Sequence, residues 1–294
     1  MEGLLKNGMT EKKAEELWAL IEPFAAYGFN KAHAASYGRL AYQTAYMKAN
    51  FPVPYMTAIL TAESGDVERV SEIIHECKKM DIDVLSPDIN ECFGNFTVIE
   101  TKTEEKNKIR FGFYTIKNLG YDIADVIIEE RKNRGKFMSM EDFLERVQHK
   151  NLTKKSLEAL IKAGAMDGFG DRGIFLENME GLLAFTKSFS KVDKNQGSLF
   201  AGDMAPKSQL QIKEAPLASK EDKLVWEKEL LGLYISGHPL ERVKDKIEKS
   251  GMNVKKLQET GFQNMNVVMA VIIEDIRKVI TKKGGQMAFI KMAD

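Results

Sequence analysis

The sequence predicts a mainly α-helical protein of several domains with small β elements. Three observations carry this. Apolar residues recur at helical spacing through most of the first 80 residues and again over 116–185. Short runs rich in β-branched and aromatic residues are confined to 82–115 and to the stretch after 254. The length of 294 residues exceeds one compact domain and suffices for two or three.

The elements follow in order. Thr10 precedes a capped helix over 11–21, with Ala14, Leu17, Trp18 and Ile21 on one face; Pro23 and Gly28 are expected to break it. Asn30 caps a second helix of about twenty residues, ending before Phe51-Pro52. Residues 54–63 and 66–80 read as two more, the latter capped by Asp66 with Val70, Ile73, Ile74 and Cys77 as its apolar stripe. Residues 81–115 form a small strand-containing insert. Residues 116–185 return to helix. Over 186–222 Lys, Ser, Gly, Pro and Gln dominate and periodicity is lost, which predicts a linker. A helix over 221–234 meets the stop "SGHP" within connecting helices at 223–253. From 254 to 294, two strands joined by a Gly-Gly turn open a β-domain.

Composition excludes some classes and leaves others open. Lys+Arg and Asp+Glu balance at 43 each, so any basic surface is local. Cys77 and Cys92 make neither a disulfide scaffold nor a C-x-x-C metal site. No apolar run approaches a membrane span and no signal peptide opens the chain, so no membrane role is expected and the compartment is the cytoplasm. Met1 opens almost directly in helix-like sequence and "GGQMAFIKMAD" stops within a strand, so the chain reads as a fragment whose β-domain is truncated.

Three stretches carry chemistry. No Asp or Glu occurs from Pro23 to Ala62, where roughly six are expected. Instead the stretch holds Lys31, His33, Arg39 and Lys48 with Tyr27, Tyr37, Tyr42 and Tyr46, a set suited to a phosphate-bearing partner. Lys31 follows the capping Asn30 at the positive end of a helix. An Ala-rich packing helix is the alternative, with His33 and Tyr37 as a core pair. Next, Ile116-Lys117-Asn118-Leu119-Gly120 is a short turn entering a helix over 121–131. It fits the h-x-G-h-G pattern of helix–hairpin–helix modules, with Asn118 replacing Gly as the best other residue for positive φ. Such a hairpin offers backbone N–H groups to a DNA phosphate without reading sequence. The turn "AGAMDGFG" before Asp171 is a looser second copy. An ordinary αα-hairpin is the alternative for both. Last, "QGSLF" (Gln196, Ser198, Leu199, Phe200) resembles the peptide with which bacterial proteins dock on the sliding clamp. Burying Leu and Phe is worth roughly 2–3 kcal/mol each before ordering costs. The alternative is packing of both onto the preceding helices.

Taken together, "FAAYGFNKAHAASYGRLAYQTAYMKANFP", "LSPDIN", "IRFGFYTIKNLG", "LIKAGAMDGFGDR", "QGSLF" and "EKELLGLYISGHPL" resemble, in order, the alpha subunits of bacterial DNA polymerase III, the C-family replicative polymerases. The resemblance implies helical distal fingers over 1–80, with Asn30, Lys31, His33 and Tyr37 facing nucleotide and primer–template. It implies a tandem helix–hairpin–helix part over about 105–185, an internal clamp-binding motif at 196–200, and the start of an OB domain at 254–294. Expected partners are primer–template DNA, a deoxynucleoside triphosphate, the sliding clamp and other holoenzyme subunits. The family's two Mg²⁺ ions need palm carboxylates absent from this sequence. Asp81 and Asp83 flank a strand-like turn, and Asp122 and Asp125 lie on an exposed helix face; neither pair substitutes. No catalytic or metal-binding residue is therefore expected in this chain, and no polymerase activity from it alone. A stand-alone helix–hairpin–helix DNA-binding or repair accessory protein with a clamp-docking peptide, and a clamp adaptor, are the competing readings. The open strand edge at the end favours the polymerase fragment.

Overall fold

The computed structural model describes residues 2–26, 31–100, 107–190, 209–243, 247, 254, 256–257, 267–280 and 285–293. It divides into two compact units, Met1–Met56 and Thr57–Asp294.

The first unit contains α1 (Glu2–Lys6), α2 (Glu11–Ala26), α3 (Lys31–Asn50) and the start of α4 (Pro52–Ala62). Helix α2 continues through Pro23, where the sequence predicted a break. Proline forfeits one N–H bond and strains the carbonyl four residues back, but here that loss falls in the last turn. Of the predicted α2 stripe only Ala14 is buried, while Trp18 is 46% and Ile21 43% exposed. Helix α3 has the expected length, and none of its residues is buried.

The second unit begins in α4, where Leu60 is buried, and continues into α5 (Val67–Lys79). Asp66 caps α5 as predicted, its Oδ1 accepting from the Glu68 and Arg69 amides at 3.0 and 3.1 Å. Val70, Ile73 and Cys77 are buried along one face of α5. Three short strands follow, β1 (Val84–Leu85), β2 (Thr97–Ile99) and β3 (Lys108–Arg110). They order as β1-β3-β2, with β1 parallel and β2 antiparallel to β3. A 3-10 turn (Phe113–Thr115) leads to the first hairpin and α6 (Tyr121–Arg134). Then come α7 (Met140–Arg146), α8 (Lys154–Lys162), α9 (Arg172–Glu177) and α10 (Met179–Ser190).

The insert at 81–115 is lashed to these helices. The buried Arg131 of α6 donates to the Ile89 carbonyl at 2.9 Å and to that of Cys92 at 2.5 Å. Asn90 exchanges two 2.8 Å bonds with the backbone of Phe137. The Ile89 amide reaches the Ala165 carbonyl in the second hairpin. Gly112 permits the close approach underneath, since a Cβ there would lie 2.3 Å from the Gly94 carbonyl oxygen. Phe111, Phe113, Ile116, Ile123, Ile127, Phe143, Leu157 and Leu160 form one apolar core of strands, hairpin and helices. Each contributes about 2–3 kcal/mol by burial. Neither cysteine is in a disulfide, and both are buried. The Cys92 Sγ donates to the Phe111 carbonyl at 2.9 Å, and burial pushes its thiol up to about 12.

Two predicted boundaries move. Helix α10 reaches Ser190, and residues 209–219, expected within a linker, are tied to the helices by hydrogen bonds at Leu210, Lys213 and Ala218. Asn178 bonds both the amide and the carbonyl of Lys213, at 2.8 and 2.9 Å. A Cβ on Gly173 would strike the Pro216 carbonyl oxygen, so this contact excludes any side chain at 173. Helix α11 (Lys220–Leu231) opens with a Ser219 capping box and stops at Gly232 in the left-handed region, ahead of "SGHP". The left-handed glycine ends the helix by itself. A second 3-10 turn spans Pro239–Val243. β4 (Ile272–Ile280) and β5 (Gln286–Ala293) pair antiparallel, as expected for the two strands. Among the described residues no helix is long and apolar enough to cross a membrane.

Candidate nucleic-acid interface

The first hairpin, 116–120, lies between the 3-10 turn and α6. Ile116 and Leu119 point inward, 1% and 7% exposed, and anchor the turn to the core. Lys117, Asn118 and Gly120 are exposed. Asn118 has φ of 71°, as its place in the pattern predicts. Gly120 differs: its φ is −73°, and a Cβ there would meet nothing within 4 Å. Neither backbone nor packing inside the chain requires glycine at this position.

Donor accounting refines the sequence reading. The Lys117 N–H is committed to the Leu230 carbonyl of α11 at 3.0 Å, and the Leu119 N–H to the Ile116 carbonyl at 3.2 Å. The amides of Asn118, Gly120, Tyr121 and Asp122 have no acceptor among the described residues, and no side chain caps α6. The uncommitted donors are therefore those around Gly120 and the first turn of α6, not that of Lys117. Asn151 bonds Asp122 at 3.2 Å, which brings the loop carrying Lys150 beside this helix end. Tyr114 stacks edge-on against Tyr121 and bonds Asp125, which raises the Tyr114 phenol above its usual value.

The second hairpin is more enclosed. Gly164 has φ of 85°, and a Cβ there would clash with the Arg172 guanidinium. Arg172 is 3% exposed. It holds Asp167 through Nε and Nη2 at 2.8 and 2.7 Å, the Lys162 carbonyl at 3.0 Å, and Glu227 of α11 at 3.3 Å. Burial alone would lower the Arg172 pKa, but Asp167 and Glu227 outweigh it and raise it. Asp171 caps α9. Neither Arg172 nor Glu227 stood out in the sequence. For the latter the only signal was a Glu directly after Trp226, between Leu224 and Leu230 of the same helix-like run.

The other candidates fall elsewhere. Lys31, His33 and Tyr37 lie exposed on α3, in the first unit, with the rings of His33 and Tyr37 at 4.3 Å. No acid lies in the first turn of α3. Asn30 lies outside the described residues, as do Gln196, Ser198, Leu199 and Phe200. Asp83 pairs with Lys108 at 3.6 Å and Asp122 with Asn151. Among the described residues no group of three or more His, Cys, Asp or Glu is arranged to hold a metal ion.

A core-anchored hairpin with open amides at a helix start is what defines a helix–hairpin–helix module. Residues 81–173 match the family model described as a helix-hairpin-helix motif, which takes in the strand insert as well as both hairpins. Over nearly its whole length the chain is also similar to DNA polymerase III subunit alpha of Deinococcus radiodurans (39% identical, 99% of this chain, 22% of that protein). The same protein of Campylobacter jejuni is 36% identical over 100% of this chain and 24% of its own length. That of Thermus aquaticus is 36% identical over 99% and 23%. The chain is thus related from end to end to a segment of DNA polymerase III alpha subunits, and spans about a quarter of the length of the curated relatives it matches.

Proposed function

We propose that this chain works within a replicative DNA polymerase of the DNA polymerase III alpha kind, where it holds duplex DNA behind the site of synthesis. The observation that carries this is the uncapped start of α6 at Gly120, within a matched helix–hairpin–helix module. Amide donors of Asn118, Gly120, Tyr121 and Asp122 take a backbone phosphate oxygen, the positive helix end adds to them, and Lys117 supplies screening-sensitive attraction. Such contacts fix register and carry no sequence information. Asp122 works against the phosphate, and its bond to Asn151 moderates that charge.

The exposed, acid-free α3 positions nucleotide and primer–template through Lys31, His33 and Tyr37, together with Asn30 just ahead of it in sequence. Leu199 and Phe200 plug into the sliding clamp with Gln196 and Ser198 beside them. Other holoenzyme subunits complete the partners. Phosphoryl transfer in the whole enzyme uses Mg²⁺. The described carboxylates here do not fit a two-metal site, since they are dispersed and engaged with Lys108, Asn151 and Tyr114. The ligands therefore lie elsewhere in the polymerase, and this chain alone extends no primer.

Gly120→Val tests the grip. The substitution meets open space in an ordinary backbone conformation, so the chain should stay folded, losing only the roughly 1 kcal/mol that an apolar residue costs at a helix N-cap. Its Cβ would stand where a phosphate approaches, and affinity for primed duplex at low salt should fall about tenfold or more. Unaltered affinity would leave the hairpin a purely structural turn.

A further inference from the structure

Glu227 is a carboxylate with no contact to solvent, 0% exposed, in the middle of α11. One oxygen accepts from Arg172 at 3.3 Å, and the other from the amides of Ile235 and Ser236 at 3.0 and 2.9 Å. Gly232 turns the chain back and so delivers those two amides. Three residues on, one helical turn away, the Leu230 carbonyl accepts from Lys117 in the first hairpin. One turn of one helix thus holds both hairpins: the first through a main-chain bond, the second through a buried ion pair. Burying such a pair is costly, and apolar residues of similar volume would serve stability as well or better. What the pair adds is direction. The guanidinium plane fixes where Asp167 and the "AGAMDGFG" turn stand relative to α11, and α11 fixes Lys117.

We propose that Glu227 is a positioning residue for DNA binding: through Arg172 and α11 it sets the two hairpins in one fixed relation, so that they grip successive backbone phosphates as a unit. The inference rests on the proposed function, and the test separates the two. Duplex affinity is measured by fluorescence anisotropy over a salt series with the full 294-residue chain. If the unsubstituted chain does not bind primed duplex, the functional reading fails and this one with it.

If it binds, Glu227→Gln keeps the shape but removes the charge facing Arg172. Affinity should fall about tenfold, and the slope of log affinity against log salt should shrink by about one phosphate contact, with the chain still folded by circular dichroism. Combined with Gly120→Val, the loss should be less than the product of the two single losses, because both variants break the same unit. Unchanged affinity and slope in folded Glu227→Gln, or losses that multiply, overturn the proposal. If Glu227→Gln does not fold, the double variant Arg172→Met, Glu227→Met restores an apolar fit without the directed bond. It should fold and show the same shallow slope; wild-type slope and affinity in that variant overturn the proposal.

Discussion

At the scale of single residues, Asn118 and Gly120 exchange the roles their types suggest. Asn118 occupies the left-handed region, φ 71°, while Gly120 sits at −73°. Asn118→Gly should therefore be close to neutral for stability. Asn118→Ala should cost about 1 kcal/mol, because a Cβ without a compensating polar group is strained there. Denaturant unfolding of both variants measures the difference. The sequence indicated positive φ at Asn118 from the pattern. It gave no hint that Gly120 is conformationally unnecessary, because a turn formula records residue types and not which amide is already spent. Lys117 shows the same limit: its amide partner, Leu230, is 113 positions away in sequence.

At the scale of elements, α9 has six residues and relies on its cap. Asp171 Oδ1 accepts from the Gly173 and Ala218 amides, each at 2.8 Å, and Oδ2 from Lys223 at 2.8 Å. Burial alone would raise this carboxyl, but the Lys223 ammonium and the two amides override it and hold it at about 2. The folded chain prefers the ionised form. The contribution, about 2 kcal/mol, is therefore complete above the ordinary carboxylate value near 4 and fades as pH falls from about 4 to about 2. Asp171→Asn should lower the thermal midpoint at neutral pH, and its gap from the parent should close toward pH 2 in scans from pH 6 downward. The sequence made most helices legible through capping residues such as Asp66 and through apolar spacing. It missed the passage of α2 through Pro23 and the seating of 209–219. The first hangs on how near the turn is to a helix end. The second depends on partners, Asn178 and Asp171, that no local composition reveals.

At the scale of the whole molecule, the proposed DNA grip and clamp docking should be separable. The chain should bind primed duplex yet extend no primer in a nucleotide-incorporation assay with Mg²⁺. Replacing Leu199 and Phe200 together by Ala should abolish binding to a purified clamp while duplex affinity holds; undiminished clamp binding would defeat that assignment. The module and its relatives were legible in the sequence because several ordered stretches agree. The division at Met56–Thr57 was not, because α4 runs across it without a break in helical character.

The bonding of Lys213 to Asn178 and of Ala218 to Asp171 has a mechanical consequence. Eighteen residues, 191–208, separate the end of α10 from Gln209 in the sequence. Covalent chain length alone then sets a short leash: no point on it stands farther than about 30 Å from its abutments. Under the clamp docking proposed above, a ring held at Leu199 and Phe200 would share a millimolar-scale local concentration with the duplex, so even a feeble plug would keep the two together while the polymer slides.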